Sequence, residues 1–130
     1  MNSNSGQRPL SPHIQIYKMM PSMIISMSNR LSGMALYFGS LLLAWWLLAA
    51  ASGPQAYETF QWAAGSIIGR LVLFGFTWAL INHMFGGFRH LYWDTGRGFE
   101  VPTLEAMARV SFIGGFVVTV ILWIIGYAVR

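Results

Sequence analysis

Residues 67–90 read IIGRLVLFGFTWALINHMFGGFRH, and this stretch decides the fold. From Ile67 to Phe88 almost every side chain is apolar or small. A helix needs about 20 such residues to cross a bilayer, so the stretch is long enough to span one. Within it His83 is the only group that titrates near neutral pH. An ionisable side chain at membrane depth costs roughly 3 kcal/mol or more unless a partner or ligand compensates, and it marks a functional site. Gly86, Gly87, Arg89 and His90 follow His83 within two helical turns.

Two more apolar runs lie on either side. The first extends from Leu31 to Ala51 and is closed by Ser52-Gly53-Pro54, a strong helix stop. The last covers Val110 to Val129, and the middle run begins to turn apolar near Phe60. The pattern predicts an all-α integral membrane chain forming a single domain over residues 1–130, with spans at about 29–52, 62–90 and 109–129. Residues 1–28 form a polar-to-mixed arm in which Pro9, Pro12 and Pro21 hold off a continuous helix before about residue 22. Ala49-Ala50-Ala51-Ser52-Gly53 has the small residues of a signal cleavage site. The preceding arm is about twice the usual length and the run too long for a signal, so retention is expected.

Composition agrees. The chain is 55% hydrophobic and 9% charged, with mean hydropathy +0.53, where globular chains carry roughly 25% charge. A net charge of +4 and a pI near 10 would suggest nucleic acid in a soluble protein. Here the basic residues flank apolar runs, which points to topology and to anionic lipid instead. Arg8, Lys18 and Arg30 fall on one side with Arg89, Arg97 and Arg109. Only Arg70 and Arg130 fall on the other, so the N-terminus is expected on the cytoplasmic or matrix side. The absence of cysteine excludes thiolate-held zinc, iron–sulfur clusters and covalent c-type haem in this chain. Glycines within or at the ends of the runs, among them Gly33, Gly75, Gly114 and Gly115, predict close helix approach and a partner membrane subunit.

His83 and His90 are seven residues apart, so they face one side of a helix about 10 Å apart along its axis. Two axial ligands of one haem must face each other across the iron, about 4 Å apart at ordinary metal–imidazole distances. These two therefore cannot share an iron, and neither other apolar run contains a histidine. A bis-histidine haem would need a second polypeptide. Gly86 and Gly87 would leave a flat shelf one turn below His83 for a planar macrocycle, with Arg89 and His90 at its rim to neutralise carboxylates. The residues alone equally admit a histidine hydrogen-bonded across helices beside a plain glycine packing seam.

A second group, Ser22, Ser26, Asn29, Arg30 and Gly33, recurs at spacings of three and four, a polar stripe where the chain enters the bilayer. Arg30 there offers a planar donor fork suited to carbonyls, carboxylates or phosphates. The plainer alternative is an arginine snorkelling to lipid phosphate, with serines capping the helix start. Asp94-Thr95-Gly96-Arg97 reads as a helix end and turn, with Asp94 and Arg97 a candidate ion pair.

Three stretches together resemble the cytochrome b subunit of succinate dehydrogenase, the larger membrane anchor of respiratory complex II. The arm Arg8-Pro9-Leu10-Ser11-Pro12-His13 with Tyr17 resembles that family's N-terminal motif. Ser26, Arg30, Ser32 and Gly33 match its first-helix motif, in which Asn29 takes the histidine position, and His83, Gly87, Arg89, His90 and Asp94 match its second-helix motif. The resemblance covers essentially the whole chain. It implies that His83 is an axial ligand of a haem b shared with a smaller anchor subunit, which supplies the other axial histidine. It further implies that Ser26 and Arg30 line a ubiquinone site beside the iron–sulfur subunit, and that Arg30, His90 and Asn29 lie near the haem carboxylates. The expected partners are then the small anchor, the iron–sulfur subunit, the flavoprotein and membrane lipid. The chain alone would not be catalytic, and its place is the bacterial or mitochondrial inner membrane. Asn29 departs from the family pattern, which has histidine there; asparagine can donate a hydrogen bond but supplies no positive charge.

Two other classes compete. A small proton-coupled transporter needs a carboxylate within a span, and all four acidic residues fall outside the apolar runs. A structural membrane adaptor without haem predicts no visible absorbance.

Overall fold

The computed structural model describes residues 9–129. Arg8 and Arg130, both used in the charge count above, lie outside the described residues. The described chain forms a short 3-10 turn at His13–Gln15, followed by α1 (Pro21–Ser52), α2 (Pro54–Gly65), α3 (Ile67–Asp94) and α4 (Val101–Ala128). Three of these helices, α1, α3 and α4, are long and apolar enough to cross a membrane.

Each boundary has a local cause. Met20 is extended (φ −81, ψ 149), as a residue before proline must be, and Pro21 opens α1 where its missing N–H costs nothing. Gly53 at φ 112 ends α1 in a conformation that side chains resist, and Pro54 opens α2. The second span begins at Ile67, later than the expected 62, because residues 62–65 close α2 instead. Ser66 is extended (φ −65, ψ 161) and breaks the helix, its hydroxyl accepting from the Gly69 N–H at 3.0 Å to cap α3. The corner is tight: a Cβ on Gly69 would overlap the Ala63 carbonyl and Ala64 backbone. α4 begins at Val101, two turns before the expected 109, since extended Glu100 and the proline in the first turn start it there. α3 ends at Asp94 and the chain turns through Gly96 (φ 77) and Gly98 (φ 80). Asp94 and Arg97 do not pair; the one ion pair among the described residues is Arg109–Glu105 at 3.4 Å, one turn apart on α4.

α3 packs against both α1 and α4. The seams are made of small residues, Gly39 on α1, Ala79 on α3, Ala108 and Gly115 on α4, as close backbone approach in lipid requires. Thr119, fully buried, returns its hydroxyl to the Gly115 carbonyl at 2.7 Å, so no polar group is left open there. Edge-on aromatic pairs, Phe74–Trp123 at 5.4 Å and Trp78–Phe112 at 5.7 Å, fill the α3–α4 interface. Most large apolar side chains point outward.

Candidate functional site

His83 is half-buried against α1. Its Nδ1 lies 3.1 Å from the Asn29 carbonyl oxygen and 3.3 Å from Ser32 Oγ. A carbonyl only accepts, so the bond to Asn29 requires the proton on Nδ1. Ser32 Oγ donates its own proton to the same carbonyl at 2.7 Å. In the neutral imidazole Nε2 is then the nitrogen with the lone pair, and among the described residues it has no hydrogen-bond partner. Histidines that bind metal are held in this way, with the far ring N–H given to a carbonyl or carboxylate. Gly33 makes the contact feasible, since a Cβ there would stand 3.0 Å from His83 Cε1.

Four of the five residues of the polar stripe on α1 converge on one cavity, while Gly33 lies against His83. Ser26, Asn29 and Arg30 line one cavity of about 150 Å³ together with His90 from α3. Ser22 completes the α1 wall, and Arg89, Trp93, Leu104 and Ala108 form the rest. Ser26, Arg30 and His90 are exposed, while Asn29 is half-buried. His83 does not line this cavity; Asn29 joins the two places, its carbonyl holding His83 while the residue also lines the cavity.

The glycine shelf differs from expectation. A Cβ on Gly86 would overlap the Asn29 side chain, so that space is filled by Asn29 and is not free for a macrocycle. Nothing lies within 4 Å of the corresponding point at Gly87. Gly86→Ala is therefore expected to displace Asn29 and destabilise the assembled protein by about 1–3 kcal/mol. Gly87→Ala should stay within about 0.5 kcal/mol. Thermal unfolding of the two purified variants checks the contrast, and equal losses would refute the packing role of Gly86.

Two residues without an assigned role prove central. Ser32 sits behind Asn29 and His83 as described, and its cue in sequence is that it fills the serine or threonine position of the first-helix motif. Asn82, 3% exposed, donates to Ser28 Oγ at 3.3 Å and ties α3 to α1 one residue before the histidine. Arg89, expected at the rim, is instead buried, at 7% exposure. An apolar groove of about 730 Å³ runs along α1 and α3; its lining includes Ser28, Ser32, Gly39, Gly75 and Ala79. Among the described residues no three histidine or acidic side chains converge.

The fold and site define a three-span helical membrane protein that holds the His83 imidazole by Nδ1 against α1 and carries a cavity lined by Arg30, Arg89 and His90. The chain belongs to the family of succinate dehydrogenase/fumarate reductase transmembrane subunits, whose model matches residues 4–122. It is 38% identical over 122 residues to the succinate dehydrogenase cytochrome b556 subunit of Paracoccus denitrificans, covering 94% of both chains. It is 33% identical over 119 residues to the subunit of the same name from Rickettsia felis, covering 92% of this chain and 93% of that one. The mitochondrial succinate dehydrogenase cytochrome b560 subunit of Sus scrofa is 37% identical over 118 residues, 86% of this chain and 68% of the relative.

Proposed function

We propose that this chain is the cytochrome b anchor of a succinate:quinone oxidoreductase. In this reading His83 Nε2 would hold the iron of a haem b, and Ser26 and Arg30 would form part of a ubiquinone-reducing site. The observation that carries it is the contact of Nδ1 with the Asn29 carbonyl, which in a neutral imidazole would put the proton on Nδ1 and leave the Nε2 lone pair for iron. The names of the relatives as cytochrome b subunits support the same cofactor. Held by His83 and a histidine of a partner subunit, the haem would supply a one-electron redox centre.

The chain's own residues do the rest. Asn29 and Ser32 hold the imidazole plane. Arg30 and Ser26, exposed at the cavity mouth, are placed where a quinone head-group can reach them from outside the bundle. The serine hydroxyl donates to a quinone carbonyl, and the guanidinium favours negative charge as it develops on that oxygen. His90, with its ring edge-on to Trp93 at 5.1 Å, lines the same mouth. With Asn29 and Arg30 it is assigned to the rim facing the haem carboxylates.

The partners in this reading are a smaller anchor subunit bearing the second axial histidine, an iron–sulfur subunit, a flavoprotein and lipid. The complex sits in the bacterial or mitochondrial inner membrane with the N-terminus of this chain on the cytoplasmic or matrix side. A reduced-minus-oxidised spectrum of the complex purified through this chain tests the assignment. Sharp b-type bands that appear on reduction by succinate are expected, and a spectrum without them would leave the haem-free adaptor as the better reading.

A further inference from the structure

At the end of the bundle opposite the Asn29 cavity, a groove of about 860 Å³ opens where α2, α3 and α4 come together. Its lining includes Gln61 from α2, Arg70 and Leu73 from α3, and Leu122, Trp123 and Tyr127 from α4. Arg70 is the one charged residue in that lining, and among the described residues no carboxylate pairs with it. The polar groups deeper in the groove are already used. Trp123 Nε1 donates to Thr77 Oγ1 at 3.3 Å, and that hydroxyl donates to the Leu73 carbonyl at 2.7 Å. α2 packs on α1 and on α3, but among the described residues it makes no contact with α4, so the groove separates the two.

Depth decides what can reach it. Arg70 stands three residues inside the start of α3 at Ile67, about 5 Å along the axis. Trp123 and Tyr127 stand five residues and one residue before the end of α4 at Ala128, about 8 and 2 Å. Successive spans run in opposite directions, so these positions share one edge of the apolar layer. Arginine, tryptophan and tyrosine suit that level, because lipid headgroups and water meet the acyl chains there.

We propose that the groove seats one acidic phospholipid, with Arg70 holding its phosphate. A phosphate diester is a full negative charge that accepts both prongs of a guanidinium fork, whereas a neutral quinone or a backbone carbonyl offers only a dipole. Tyr127, half exposed, adds a hydroxyl. The Gln61 amide gives one N–H to the Tyr57 hydroxyl at 2.7 Å and keeps a second. The volume far exceeds a phosphate with a few waters at about 30 Å³ each, so it also admits the glycerol and the upper acyl chains against Leu73 and Leu122. The lipid then bridges α2 to α4. Nothing in this assignment depends on the haem.

The test takes the whole complex purified through this chain, delipidated in mild detergent, with phosphatidylglycerol as the probe. Native mass spectrometry counts the lipid that each complex retains. Wild type should hold one phosphatidylglycerol that Arg70→Gln binds about tenfold or more weakly, the loss expected for one charge-assisted contact. Arg70→Lys should fall between them, since it keeps the charge and loses the fork. Arg109→Gln, which removes an exposed arginine near the start of α4, should match wild type. Equal retention in wild type and Arg70→Gln overturns the proposal, and so does phosphatidylcholine held as tightly as phosphatidylglycerol. A second measurement identifies the occupant in native membranes, by photocrosslinking from Leu122→p-benzoylphenylalanine. An adduct of phospholipid mass is expected. An adduct to a polypeptide would give the groove to a partner helix, and one to quinone would make it a second quinone site; either overturns the proposal. Should Arg70→Gln fail to assemble, this crosslink decides, and absence of a lipid adduct overturns the proposal.

Discussion

Replacing His83 by alanine is expected to strip the b-type absorption bands from the assembled complex. Changing groups that merely orient a metal-bound histidine typically weakens metal affinity by about 10–100-fold. Loss of the ligating nitrogen itself should exceed that, so haem content in the purified complex should fall below detection or to a small fraction of wild type. The side chain is half-buried, and its ring bonds to α1 at Asn29 and Ser32. Some loss of thermal stability is therefore expected alongside. What separates ligation from packing is the spectrum of protein that still assembles: full retention of the bands in His83→Ala would end the ligand assignment, whatever happens to stability.

Arg30→Ala is the second large effect. The complex should reduce quinone from succinate roughly 10- to 100-fold more slowly, the loss expected from removing one charge-assisted hydrogen bond worth about 1.5–3 kcal/mol. Transfer from succinate to an artificial dye that accepts upstream of the membrane should hardly change, because that electron path ends before the quinone site in which Arg30 is proposed to act. Arg30→Lys should recover part of the rate, since a point charge replaces the fork imperfectly. Equal losses in the quinone and dye assays would show that the substitution damages assembly and would count against a quinone role.

The three spans were legible because lipid imposes length and apolarity on any helix that crosses it, and those constraints are written locally in Leu31–Ala51, Ile67–Phe88 and Val110–Val129. The separation of α2 from α3 was not. Apolar character continues through Phe60–Ala64, and only the capping hydroxyl of Ser66 and the crowded Gly69 mark the break. His83 stood out because its setting makes it expensive. What holds it comes from residues 51 and 54 positions away along the chain, and no local pattern announces such a contact. The stripe from Ser22 to Arg30 followed from helical periodicity and gathered as expected.

Arg89 and His90 show the limit most clearly. They are adjacent in sequence and both read as rim groups, yet a rotation of about 100° per residue turns one inward and leaves the other exposed. Gly86 was legible as an absence of side chain, but not as the space that Asn29 fills. That contact gives the departure at position 29 a physical setting, because the Asn29 side chain occupies the gap left by a missing Cβ on the facing helix.

The length of α1 has a consequence for energy conservation. Its 32 residues extend about 48 Å, whereas the hydrocarbon layer is about 30 Å thick. The apolar run begins only at Leu31, so the excess, Pro21 to Arg30, stands at the N-terminal end and carries the cavity with it. A quinone reduced at that mouth would take its electrons and its protons on the same face of the membrane. Such a turnover moves no net charge through the dielectric layer, so the transmembrane voltage would neither drive it nor slow it.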